Sequence, residues 1–223
     1  IGRGEPVQDT ARVLSRYLDG IMIRTFEQKE VEDFARYGSV PVINGLTDFC
    51  HPCQILADLM TIREYKGSFD GLKMCFIGDG NNMMNSLIVG CLKVGMAVSV
   101  ACPEGYRPPQ EILDFAGAYD CFELTDDPLT AAKDADVVIT DVWTSMGQEE
   151  ERAAREKAFA GYCVDDRIMA AAKPDAIVQH CLPAHRGEEI TEAVFEANAA
   201  PIFDEAENRL HAQKAVMVML MKD

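Results

Sequence analysis

Gly78-Asp79-Gly80 follows a short apolar run and precedes two asparagines, Asn81 and Asn82. A glycine turn between strand and helix first suggests dinucleotide binding, because glycines let the backbone approach a pyrophosphate. That fingerprint needs a third glycine three residues on, where this chain has Met83, and an acidic residue closing the next strand, which ends instead in Ala101-Cys102. A Rossmann-like oxidoreductase using a nicotinamide cofactor is therefore disfavoured. What remains is the carboxyl edge of a strand, where ligands of parallel sheets sit. One asparagine is expected to cap the following helix and the other to meet a ligand.

Cys50-His51-Pro52-Cys53-Gln54 contains a C-x-x-C. A redox pair would follow a strand in a small dedicated fold, and half a zinc site would want a second ligand pair, for which His180 and Cys181 are a poor match. A third reading is favoured. Pro52 suits the first position of a helix, so His51 and Gln54 project near its positive end, ready for an anionic or carbonyl ligand. Two further segments follow strands. Asp141-Val142-Trp143-Thr144-Ser145-Met146-Gly147 offers a carboxylate, a hydroxyl and a loop expected to move, and Gln179-His180-Cys181-Leu182-Pro183 offers imidazole, thiol and carbonyls. Arg24 ends an apolar strand, and Arg209 lies in Glu205-Ala206-Glu207-Asn208-Arg209.

The charge balance makes those arginines more pointed. The chain carries a net charge of -16, which repels nucleic acid and anionic membranes. An anionic substrate must then be caught by a local cationic cluster, and Arg24, His51 and Arg209 are the candidates. No run of 18 or more apolar residues is present, so no membrane span is expected. Cys75, Cys91 and Cys102, three of the eight cysteines, fall in apolar runs, which favours reduced thiols over disulfides.

These residues need elements to position them. From residue 67 onward short apolar strands alternate with helices: strands over 72–77, 96–101, 122–124, 136–140 and 176–180, and helices over 81–94, 109–116, 149–159 and 167–172. That alternation predicts a doubly wound parallel sheet covered on both faces. Ahead of it, helices are expected over 10–18 and 27–37, strands over 20–23 and 41–44, and a long amphipathic helix over 52–65; a last helix spans 205–221. The fold class is α/β, with two doubly wound parallel-sheet domains, the first only partly present, because two strands alone make an under-cored sheet. The chain is expected to lack an opening segment. The expected division is 1–50 for the remainder of the first domain, 51–66 for an interdomain helix, 67–204 for the second domain, and 205–223 for a helix returning to the first.

Taken together, these segments resemble the aspartate/ornithine carbamoyltransferase family. The matching pieces are Asp9 to Arg16, Arg24-Thr25-Phe26, His51-Pro52-Cys53-Gln54, Gly78 to Asn82, Asp141 to Gly147, His180-Cys181-Leu182-Pro183 and Glu205 to Arg209, in family order across nearly the whole chain. The Ser-Met-Gly loop and His-Cys-Leu-Pro point to the ornithine branch. The resemblance implies that Arg24, His51, Pro52, Cys53, Gln54, Cys181, Leu182 and Arg209 bind carbamoyl phosphate, with Arg24, His51 and Cys181 catalytic. It implies that Asn82, Asp141, Ser145 and Met146 bind L-ornithine. It implies carbamoyl transfer giving L-citrulline in arginine metabolism, with no metal or cofactor, in a cytoplasmic homotrimer that binds neither nucleic acid nor membrane. The alternatives are a related amine acceptor such as putrescine, or a truncated inactive chain that only binds ligand. The family's Ser-x-Arg-Thr-Arg phosphate loop is missing from this sequence. The stretch between Pro109 and Phe122 is a few residues shorter than the family norm.

Overall fold

Alternate residues of the central strand point to opposite faces of one sheet, and each face has its own core. In the computed structural model, which describes residues 4–144 and 149–221, β3 (Lys73–Ile77) sends Met74 and Phe76 into one cluster and Cys75 and Ile77 into another. A strand buried on both faces reads as a continuous apolar run, and that is why residues 72–77 were legible as one.

Five parallel strands stand in the order β5-β4-β3-β6-β7. The others are β4 (Ala97–Ala101), β5 (Phe122–Thr125), β6 (Val137–Thr140) and β7 (Ile177–His180). The chain winds from β3 outward through β4 and β5, then returns to lay β6 on the other side of β3. The direction of winding therefore reverses between β3 and β6, which opens a crevice at their carboxyl ends. Ile77 and Thr140 pair there, followed by the Gly78-Asp79-Gly80 turn and by Asp141.

A second, two-stranded parallel sheet joins β1 (Ile21–Arg24) to β2 (Val42–Leu46). α1 (Val7–Leu14) and α2 (Gln28–Tyr37) cover it, with Ala11, Ile21 and Phe34 buried between them. α1 starts earlier than the apolar pattern suggested, because Pro6 supplies the extended N-cap, and residues 15–17 form a turn.

α3 (Pro52–Lys66) departs most from expectation. Its burial does not follow polarity: polar Gln54, Asp58 and Thr61 are buried beside Cys53, Ile55, Ala57 and Ile62, while apolar Leu56 is exposed. It lies between α4 (Asn82–Lys93) and α10 (Ala199–Met221), and polar side chains are buried on it because α10 answers them with polar partners. α10 begins before residue 205 and its far end reaches the first sheet: a side chain at Gly20 would meet the Met221 sulfur at 3.1 Å. α5 (Gln110–Ala116), α7 (Arg152–Ala158) and α8 (Asp166–Ala171) match expected helices, but a 3-10 turn over Glu149–Glu151 replaces the start of the expected helix at 149. Two short helices, α6 (Pro128–Ala132) and α9 (Glu192–Ala197), were not expected. Among the described residues no helix is long and apolar enough to cross a membrane.

Candidate active site

α3 begins at the crevice. His51 is its N-cap and Pro52, which has no N–H, its first residue; the Gln54 N–H donates back to the His51 carbonyl at 3.1 Å, so the positive end of the helix dipole is presented around Cys53. The backbone N–H of His51 donates to Ser86 Oγ at 2.8 Å, and Ser86 Oγ donates to the Asn82 carbonyl at 2.7 Å. This pins the start of α3 to the first turn of α4. His51 is 8% exposed, and its ring Nδ1 has no hydrogen-bond partner among the described residues. Burial, reinforced by Arg209 and Arg24, lowers the imidazole pKa to about 4. At neutral pH it is an uncharged ring able to donate one hydrogen bond. Arg24 and Arg209 both act on this one ring, so the three residues lie together, with two cations beside an uncharged imidazole.

The pair of cysteines flanking His51 does different work. Both thiols are free, so there is no disulfide. Cys53 Sγ turns inward and donates to the Asn44 carbonyl at 3.3 Å, and Cys50 Sγ donates to Gln28 Oε1 at 3.4 Å. The side chain of Cys53 is therefore committed to β2, while Pro52 remains exposed at the helix end.

Gln54 lies one turn into α3 and is 1% exposed. Its Nε2 donates to Asp58 Oδ1 and to Glu205 Oε1, each at 2.8 Å. Its Oε1 accepts from Arg209 Nη1. With its amide oxygen inward, Gln213 accepts from Arg209 Nη2 at 3.0 Å and Nε at 2.9 Å, so the guanidinium is held from two sides. Glu205 Oε2 accepts from the His180 N–H at 2.9 Å. One carboxyl therefore ties α3 and α10 to the end of β7.

The opposite wall is built on Asp141. Asn81 caps α4, its Oδ1 accepting from the N–H groups of Met83 and Met84 at 3.0 and 3.2 Å, while its Nδ2 donates to Asp141 Oδ2 at 2.9 Å. Asn82 Nδ2 donates to the Thr47 carbonyl at 2.7 Å, joining α4 to the loop before α3. Of the two carboxamides, the cap is thus Asn81. Asp141 Oδ1 accepts from its neighbour Val142 N–H at 2.8 Å and from Cys181 Sγ at 3.2 Å. Burial, with Asp141 beside it, raises the Cys181 pKa well above the ordinary thiol range. The group is a thiol and not a thiolate at neutral pH.

Leu182 sits at φ 55°, a left-handed conformation that is unfavourable for a branched side chain, and a cis bond links it to Pro183. His180 fixes this corner: its Nδ1 accepts from the Leu182 N–H at 2.9 Å, so Nε2 carries the proton and donates to Glu189 Oε1 at 3.1 Å. Asp141, His180 and Cys181 present ligand atoms within 4.8 Å of one another. Both nitrogens of His180 are already engaged, so this trio does not suit a metal ion.

Trp143, expected in a moving loop, is instead packed: its ring stacks 5.7 Å from Phe159, and its carbonyl accepts from Arg155 Nη1 at 3.0 Å. Arg155 Nη1 also donates to Asp79 Oδ2 at 2.7 Å, both side chains being buried. Ser145 and Met146 lie outside the described residues. Sequence reasoning assigned no role to Asp58, Ser86, Gln179 or Arg155. A signal existed for Asp58, an acid four residues after Gln54 in an otherwise apolar stretch.

Fold and site together define an α/β protein with Arg24, Arg209, His51 and the start of α3 on one wall, set against an acidic and carboxamide wall at a sheet switch point. The family description "Aspartate/ornithine carbamoyltransferase, carbamoyl-P binding domain" matches residues 1–64, and "Aspartate/ornithine carbamoyltransferase, Asp/Orn binding domain" matches residues 70–220. The ornithine carbamoyltransferase of Geobacter metallireducens is 59% identical over 224 residues, covering 100% of this chain and 74% of that protein. That of Thermococcus kodakarensis is 55% identical, covering 98% of this chain and 71% of that protein. Among solved structures, ornithine carbamoyltransferase from Pyrococcus furiosus superposes with a TM-score of 0.92 at 52% identity, covering 99% of this chain and 72% of that one. The anabolic enzyme from Campylobacter jejuni gives 0.94 at 44% identity, covering 99% and 75%. The chain belongs to the aspartate/ornithine carbamoyltransferase family.

Proposed function

We infer that the protein transfers the carbamoyl group of carbamoyl phosphate to the δ-amine of L-ornithine, giving L-citrulline and phosphate. One observation carries this beyond family membership. Glu205 ties Gln54 of the anion wall to the backbone at His180, and the next residue, Cys181, bonds Asp141 of the opposite wall. A single hydrogen-bonded path thus holds an anion site and an amino-acid site in register, as a two-substrate transfer requires.

In this reading Arg24, His51, Gln54, Arg209 and the positive end of α3 at Pro52 and Cys53 bind carbamoyl phosphate. The neutral His51 and the Arg24 guanidinium donate to the carbonyl oxygen. The nitrogen–carbon bond forms as the amine attacks, and the carbon–oxygen bond to phosphate then breaks. Negative charge grows on the carbonyl oxygen in between, and a well-placed donor in a dry site is worth roughly 3–4 kcal/mol there. The amine must first lose a proton; from an ordinary pKa of ~10.4 that costs roughly 4–5 kcal/mol at pH 7. Leu182 and Cys181, lying between the substrates, lower this cost by excluding water. Asp141 and Asn82 hold the amino-acid end of ornithine, and Ser145 and Met146 are its further ligands.

Residues 1–50 and 205–223 then belong to the carbamoyl phosphate half, 67–204 to the ornithine half, and 51–66 to the connector. The eight free thiols suit a reducing cytoplasm, and the protein works there as a homotrimer in arginine formation. Sedimentation of the purified protein tests the trimer. For the chemistry, Arg24→Ala should lower kcat far more than it alters unfolding, and Asp141→Asn should chiefly raise the KM for ornithine. Unchanged kcat in the first variant, or unchanged ornithine KM in the second, would remove that residue from its role.

A further inference from the structure

We propose that Asp58 and Glu205 are positioning residues that lock the Gln54 side chain with its oxygen toward the substrate, so that the anion wall selects a carbamoyl group over a bare phosphate. The inference rests on the carbamoyl transfer reading and deepens it.

An amide nitrogen has two hydrogens, and in Gln54 both are consumed, one by Asp58 Oδ1 and one by Glu205 Oε1, each at 2.8 Å. The reversed amide would set its oxygen against two carboxyl oxygens, so only one orientation is tolerated. Gln54 Oε1 then faces the site, and Arg209 occupies one of its two lone pairs. Arg24 and Arg209 in that wall can only donate, and the neutral His51 ring offers one donor and one acceptor nitrogen. Donors suffice for phosphate oxygens and for a carbonyl. The carbamoyl amino group needs an acceptor, and the second lone pair of Gln54 Oε1 supplies one.

The Glu205 carboxyl and the Asp58 backbone are themselves fixed from outside the site. Glu205 Oε2 accepts from the His180 N–H, and the Asp58 carbonyl accepts from Gln179 Nε2 at 3.1 Å. Asp58 is fully buried and Glu205 is 1% exposed. Burial and mutual proximity raise both pKa values, Asp58 to about 7. The pair therefore holds a proton near neutrality, and Asp58 Oδ2, which meets no donor among the described residues, is an atom available to carry it. Arg209 faces about one negative charge instead of two.

Glu205→Gln is the informative change in the intact protein. Both Glu205 oxygens accept, from Gln54 and from His180, so a glutamine must present an N–H to one of these donors, and the Gln54 amide is freed to turn. Carbamoyl phosphate affinity should fall about tenfold, the worth of one substrate hydrogen bond, while inorganic phosphate and acetyl phosphate affinities stay within about twofold. Asp58→Asn should show the same split more weakly. All three affinities falling together, all three unchanged, or neither variant folding by circular dichroism would each overturn the proposal. Failure of the unmodified protein to form citrulline would instead strike the functional reading on which it rests.

Discussion

Cys181 donates its thiol hydrogen to Asp141 at 3.2 Å, and the carboxylate that receives it also receives Asn81 and the Val142 N–H. The thiol is thereby held protonated beside a charge that opposes its ionisation. Alkylation with iodoacetamide at pH 8 should reach Cys121, which is exposed, roughly tenfold or more faster than Cys181. Asp141→Asn removes one of the two main causes of the raised pKa and should speed Cys181 labelling. Peptide mass spectrometry over a time course reads both rates, and early labelling of Cys181 would contradict the assignment.

His51 should titrate near pH 4 and not near its ordinary 6.5. A depressed folded pKa means that the unfolded chain binds the extra proton first. The neutral ring's contribution is intact above pH 6.5 and is lost as pH falls toward 4. The difference is about 3 kcal/mol at ~1.4 kcal/mol per unit. Urea unfolding of the wild type and His51→Gln should therefore diverge from their neutral-pH offset between pH 6.5 and 4, the wild type losing more stability. Parallel pH dependence would show that the ring is not depressed.

Gly90 lies where α4 crosses α3, and a side-chain carbon there would come 2.4 Å from Ile55 Cγ2. Ile55 follows Gln54 and is buried, so it has little room to yield. Gly90→Ala should cost about 1–3 kcal/mol by overpacking. It should also raise the KM for carbamoyl phosphate more than that for ornithine, because the displaced helix carries His51 and Gln54. Equal changes in the two KM values would place the disturbance elsewhere.

The buried pair of Asp79 and Arg155 joins the turn after β3 to α7. Arg155→Met leaves a buried carboxylate without its partner and should destabilise the protein by about 3–5 kcal/mol, whereas Asp79→Leu with Arg155→Met should recover most of that loss. Chemical denaturation of the single and double variants measures this. The single variant also releases the Trp143 carbonyl, so ornithine KM should rise.

Much of this architecture was legible because each strand of the larger sheet is short, apolar and bounded by turn residues. Ile77-Gly78-Asp79-Gly80 and Thr140-Asp141 marked two strand ends, but the sequence does not say that β3 and β6 are neighbours, and that adjacency makes the crevice. α6 and α9, of five and six residues, are too short for a helical period to show, although Asp127-Pro128 and Thr191 are recognisable caps. α3 was misread because helical patterning assumes that buried positions are apolar, and here Gln54 and Thr61 are buried against polar partners on α10. Arg24, His51 and Arg209 were found by asking what an acidic chain needs in order to hold an anion. Asp58 and Glu205 were not, because a carboxylate gains meaning only from the amide between them.

That amide has a temporal consequence. Gln54 and Glu205 are 151 residues apart, and Gln54 and Arg209 are 155 apart. While the chain is being synthesised, the five strands can emerge and pair in turn, but the clamp on Gln54 waits for α10 to leave the ribosome. Until then Asp58 is a buried or half-buried carboxyl with no partner from the last helix, and the nascent protein has an amino-acid wall without a completed phosphate wall. Any stabilisation of that wall by a bound anion therefore begins only after α10 has been made and has docked on α3.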